Sequence, residues 1–165
     1  MKEHWVEIEN FENYDVSDHG RIRSNITDKI LITYENQSGL VQVGLMRNGY
    51  QKHRSVPLIV AKAFIPQPSG PFDTPINLDG DRHNNHINNL MWRPRWFAVK
   101  YNQQFREGYE NSIESPLEDL KTGEITDNSI ECAKRYGLLE QEIVLSVLNN
   151  TYVWPTYQKF RVVGG

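Results

Sequence analysis

Residues Ile76–Trp92, INLDGDRHNNHINNLMW, gather groups capable of acid–base and metal chemistry: two histidines, five asparagines, two carboxylates and one arginine around Gly80. Histidine titrates near about pH 6.5, which suits it to take a proton from an attacking water. Asp79, His83 and His86 are ligand types for a divalent cation, with the histidines three positions apart. The asparagines offer something different, because their amides bond nearby backbone and hold polar loops in shape. A metal-assisted hydrolytic site and an amide-capped loop are both open readings, and the flanking elements must decide between them.

Upstream, residues 1–56 read as short strands separated by turns. YDVSDHGRIRS is strand, turn, strand; LITY, LVQVGLM and YQKHRSV follow. The Asn48-Gly49 pair between the last two runs is a strong hairpin signal. PLIVAKAF, Pro57–Phe64, reads as a short apolar helix with proline in its first turn. After a Pro- and Gly-rich loop come a strand near Pro75–Leu78, the polar loop, a strand at Leu90–Trp92 and a helix from about Arg95 to Phe105. Residues 106–115 lack apolar periodicity and read as a linker. Residues 116–165 contain a small hairpin, two short helices around Gly137 and Leu138, and a closing strand; the helix pair suggests a helix-turn-helix.

Composition narrows the function classes. The chain has 165 residues, a net charge of −3 and a pI near 6.0. A single cysteine, Cys132, excludes internal disulfides and multi-cysteine zinc sites. It reads as a small buried residue, since no activating histidine has a claim to lie near it. No apolar run approaches the roughly 20 residues of a membrane span, and no secretory h-region precedes the first strand. A reducing cytoplasm is the expected setting.

At this point the residues resemble a known family, the phage-type HNH homing endonucleases with their DNA-binding attachments. HWVEIENFENYDVSDHGRIRS looks like the nuclease-associated module of those proteins through Trp5, Ile8, Phe11, Tyr14, Val16, Ser17, Gly20, Ile22 and Arg23. VAKAFIP followed by NLDGDRHNNHINNLMW is similar to the HNH core, and the C-terminal unit to an appended helix-turn-helix. The resemblance implies an α+β fold. Its parts are a β-rich module at 1–56, a ββα-metal core at 57–105, a linker at 106–115, and a small β-hairpin plus helix-turn-helix at 116–165. It also implies a setting in the cytoplasm of an infected bacterial host.

In such a core a strand–loop–strand–helix unit holds one divalent cation, which stabilises charge on the scissile phosphate. An acidic or amide ligand on the first strand is followed by a histidine base, and a helix residue supplies the second ligand. Carried across position by position, the scaffold residues Asp79, Gly80, Asn84, Asn85, Asn89, Leu90 and Trp92 match. Asn89 falls twelve positions beyond Asn77, where the family has its loop-holding asparagine. The chemistry does not match. Ile76 stands at the first ligand, Asn77 at the base, Ala98 at the helix ligand, and Pro57 at a second family histidine. No catalytic residue is therefore assigned, no cofactor is expected, and Asp79, His83 and His86 remain the only rescue candidates for Mg²⁺ or Mn²⁺.

The expected reading is a catalytically degenerate HNH-like protein kept for binding DNA, with Arg21, Arg23, Lys52, Arg54, Arg93, Arg95 and Lys100 as phosphate contacts, aided by His53 beside Lys52. Charge complicates it. Residues 1–105 hold 12 Lys/Arg against 11 Asp/Glu, and residues 106–165 hold 6 against 10. Glu140 and Glu142 lead the expected recognition helix, where phosphates would repel them. A host-protein partner, whose enzyme would be inhibited or redirected, is the second reading, with Trp96 as a possible anchor. An active nuclease with relocated metal ligands is the third. No membrane partner is expected.

Overall fold

The computed structural model describes residues 2–165, which divide into two compact units, residues 2–98 and 99–165. In the first unit β1 (Trp5–Ile8), β2 (Phe11–Ser17) and β3 (Ile22–Ser24) form an antiparallel sheet with β2 in the middle. β4 (Tyr34–Glu35), β5 (Val41–Arg47) and β6 (Tyr50–Ser55) form a second sheet around β5. Asn48 and Gly49 both take positive φ, 52° and 80°, which the tight β5–β6 turn requires. LITY forms little strand: only Tyr34 pairs with β5, and Ile32 is 91% exposed. β-branched composition favours extended backbone, but without a neighbour to cover both faces it does not make a ladder.

Ser55 ends β6 and caps α1 (Val56–Phe64), its hydroxyl accepting from the Leu58 N–H at 3.3 Å, with Pro57 in the first turn. One apolar cluster joins Ile8, Phe11, Val16 and Ile22 of the first sheet, Val43 and Leu45 of the second, and Val56, Val60 and Leu90. The strand β7 (Thr74–Asn77) pairs antiparallel with β8 (Leu90–Arg93), Ile76 opposite Met91 and Asn77 opposite Leu90. The helix α2 (Arg95–Glu107) follows, and the division between the units falls within it. These elements realise the expected ββα arrangement.

The second unit holds β9 (Leu117–Asp119), β10 (Ile125–Thr126), α3 (Ser129–Tyr136), α4 (Glu140–Asn149) and β11 (Phe160–Val162), with β9 central in its sheet. Its core comprises Leu117, Cys132, Ala133, Leu138, Ile143, Val153 and Phe160. Gly137 ends α3 in the left-handed region, and Leu139 precedes α4 without a side-chain cap. Gln104 supplies the missing acceptor, its Oε1 taking the Glu140 N–H at 3.0 Å. In the expected linker, Arg106 and Glu107 close α2, while Ile113 packs on this core and donates its N–H to Ser129 Oγ at 2.9 Å. Two apolar residues in ten, Tyr109 and Ile113, are too sparse a pattern to announce such docking.

Candidate functional site

β7 and β8 bring the two ends of the polar loop together, and amides fix its shape. Asn77 is 4% exposed, and its Nδ2 donates to the Asn84 carbonyl at 2.8 Å and to Asn85 Oδ1 at 2.9 Å. Asn89 Nδ2 donates to Asn84 O and to Asp79 Oδ1, and its Oδ1 accepts the Asp79 N–H at 3.1 Å. Asp79 accepts further from Asn84 Nδ2 and the Asp81 N–H. Burial pushes the Asp79 carboxyl up, but these bonds outweigh it and hold the group below the usual aspartate range.

The N-terminal module grips the same loop. At Gly20, φ +87°, an added Cβ would stand 2.7 Å from the Asn85 carbonyl oxygen, so only glycine permits this approach. The Ile87 N–H donates to the Asp18 carbonyl at 3.0 Å, and His19 stacks on His86 with centroids 4.8 Å apart. On the other side Arg82 donates to the Ser38 carbonyl at 2.9 Å, and His83 Nε2 lies 3.1 Å from Glu35 Oε2. His86 also uses Nδ1 to accept the Asn88 N–H and cap a 3₁₀ turn at Ile87–Asn89.

The rescue candidates Asp79, His83 and His86 are thus not brought together. Each is spent on a different contact, and among the described residues no group of three or more His, Cys, Asp or Glu could hold a metal ion. The positions that the resemblance aligns with the family's ligands and base fare no better. Ile76 is 1% exposed and Ala98 is 5% exposed, both inside the packing of the first unit. Asn77 has an amide in place of an imidazole and both donor hydrogens committed. The donor set does not fit the cation that the fold implies.

The basic residues differ in their surroundings. Arg21 pairs with Glu3 through two hydrogen bonds, and Arg23 binds Asp15 Oδ2 at 3.1 and 3.2 Å; both guanidinium groups lie against Trp5, at 5.6 and 4.2 Å from its ring centre. The Arg21 guanidinium beside Glu3 holds that carboxyl down at about 2, against the smaller cost of burial. Arg93 is 6% exposed and lies 5.5 Å from the Phe97 ring centre, a support from inside. Lys52 and Arg54 project from the same face of β6, and Arg95 is exposed at the start of α2. Lys100 is exposed in the second unit.

α4 departs from the expectation drawn for it. Glu140 is 1% exposed and accepts from Ser129 Oγ at 2.6 Å, so this carboxylate locks α4 to α3 and faces no ligand. The outward residues are Gln141, Glu142, Leu145, Leu148 and Asn149, with no cation among them. Cys132 is fully buried and its thiol is pushed up to about 12 by burial, which makes it inert. Trp96 is 53% exposed, edge-on to Phe97 at 5.8 Å.

Comparison with known proteins agrees with this geometry. Residues 3–46 match the NUMOD4 motif. A curated HNH endonuclease of Acanthamoeba polyphaga mimivirus, described as uncharacterised, is 34% identical over 88 residues. A stretch of this chain is thus similar to part of an HNH endonuclease. That match covers 53% of this chain and about a quarter of the relative, 26% of its length. A solved structure described as DNA binding and cleavage by the HNH homing endonuclease I-HmuI superposes with a TM-score of 0.54 at 22% identity, over 98% of this chain and 99% of the other. The shared architecture is therefore the HNH homing endonuclease fold. Among the described residues no helix is long and apolar enough to cross a membrane.

Proposed function

We propose that this chain is a catalytically degenerate member of the HNH homing endonucleases, retained for binding duplex DNA. One observation carries the loss of cleavage: the positions of the base and of both metal ligands hold Asn77, Ile76 and Ala98, all buried, two of them aliphatic and the third an amide that cannot take up a proton near neutral pH. General-base catalysis alone contributes roughly 10²–10⁴-fold. Supercoiled plasmid incubated with the full chain and Mg²⁺ or Mn²⁺ should stay intact. Nicking at enzymatic rates that is lost in His83→Ala or His86→Ala would restore the reading of an active enzyme with relocated ligands.

Binding to DNA is supported by the fold shared with I-HmuI, whose described activity is DNA binding and cleavage, and by exposed cations on β6 and α2. Lys52, Arg54 and Arg95 take first place among the phosphate contacts; Arg21 and Arg23 must first leave Glu3 and Asp15. Fluorescence anisotropy on a labelled duplex tests this. Each phosphate contact adds about −0.9 to the salt slope, so Lys52→Ala with Arg54→Ala should weaken and flatten binding.

The α4 surface favours a second reading for the C-terminal unit, a protein-docking role such as inhibition or redirection of a host enzyme. Leu145 and Leu148 are 48% and 73% exposed on a helix that carries no lysine or arginine. If the full chain shows no affinity for DNA at low salt, that reading takes first place.

A further inference from the structure

Between the β1–β2 turn, the β5–β6 hairpin and α1 lies a cavity of about 340 Å³ whose lining mixes apolar side chains with unpaired cations. Phe11, Val16, Leu58 and Ile59 contribute the apolar lining, the first two being part of the buried core. Arg47, Arg54 and Lys62 line the same space. Among the described residues none of the three lies within ion-pairing distance of a carboxylate. Arg54 donates to the His53 carbonyl at 3.0 Å and sits 5.4 Å from the Phe11 ring centre, leaving most of its donors for another acceptor. Glu7 and Glu9 also line the cavity without an ion pair, so cations outnumber carboxylates by three to two.

We propose that this cavity binds a small amphipathic anion, an aromatic or aliphatic body carrying one carboxylate, sulfonate or phosphate group. Ligand pockets combine a mostly apolar lining with a few placed polar groups, and their volumes start at roughly 300 Å³. The body would lie against Phe11, Leu58 and Ile59, and the head group would meet Arg54 and Lys62. A duplex fits this space poorly, because it offers phosphates on a convex surface and no apolar group to fill the concavity. The inference does not rest on the nuclease reading.

Anilinonaphthalene sulfonate titrated into the full chain under native conditions tests it. The expected result is a saturable rise in emission, weakened at least about fivefold in the double variant Arg54→Ala, Lys62→Ala. Glu9→Gln should tighten binding, and Leu148→Ser, on the apolar surface of the second unit, should leave it unchanged. Near-UV circular dichroism identical to the parent shows that the variants, all at exposed positions, keep the fold. Dodecanoate should displace the dye where the same concentration of inorganic phosphate does not. Absence of saturable binding, indifference to the Arg54 and Lys62 changes, loss of binding in Leu148→Ser, or equal displacement by phosphate would each overturn the proposal.

Discussion

Replacing Asn77 tests the claim that the family's base position has been converted into a structural amide. In Asn77→Ala two hydrogen bonds vanish. Asn84 O keeps its bond from Asn89, but Asn85 Oδ1 is left bare in a residue 3% exposed. A stranded buried acceptor costs about 1–3 kcal/mol and a lost net hydrogen bond about 1, so the expected loss is about 3 kcal/mol. Asn77→Asp should be worse despite its equal size. It aims acceptors at two oxygens and buries a charge, for a loss of at least about 4 kcal/mol at neutral pH. Burial and those oxygens would raise the folded pKa of the new carboxyl. Its protonated form, a donor, would then prevail as pH falls, and the gap between the Asp and Ala variants should narrow from pH 7 towards pH 5. Urea unfolding by tryptophan fluorescence in a Trp154→Phe background reads the first unit, because Trp5, Trp92 and Trp96 all lie within it. Loss below about 0.5 kcal/mol for Asn77→Ala, the range of an ordinary surface change, or an Asp variant no worse than Ala, would refute the assignment.

Other expectations follow from the same contacts. The triple variant Ile76→Asp, Asn77→His, Ala98→Asn should gain Mn²⁺ affinity by calorimetry yet melt below the parent, because imidazole cannot reproduce both Asn77 donor bonds; a folded variant without metal affinity would refute the alignment to the HNH core. Glu3→Gln should release Arg21 and steepen the salt dependence of DNA binding by up to about one phosphate contact, read by anisotropy. Gly20→Ala should cost about 2 kcal/mol or more in denaturant titration, since it combines positive φ with a clash on Asn85 backbone. Asp79 has a folded pKa below its unfolded value of about 3.9, so its contribution stands above that pH and fades as pH falls through the folded value. Acid titration should therefore show Asp79→Asn less sensitive than the parent below about pH 4.

Turn chemistry, strand alternation and apolar runs made much of the first unit legible in sequence. Asn48-Gly49 specifies its hairpin through local backbone preference, and Pro57 with Ser55 specifies the start of α1. That Ile76 and Ala98 carry no side-chain ligand atom was equally legible, because an aliphatic group cannot ligate in any fold. Tertiary structure alone decided which polar groups were already spent. Nothing near His83 or His86 in sequence announces Glu35 or His19, which lie 48 and 67 positions away from them. Charge counts likewise placed Glu140 on a phosphate-facing surface, whereas Ser129 and Gln104 draw it inside. Arg21 and Arg23 counted as free cations until Glu3 and Asp15 were found beside them. The reason is physical: local backbone preferences act over a few residues, but hydrogen bonds and ion pairs form between whatever groups the packed core brings within about 3 Å.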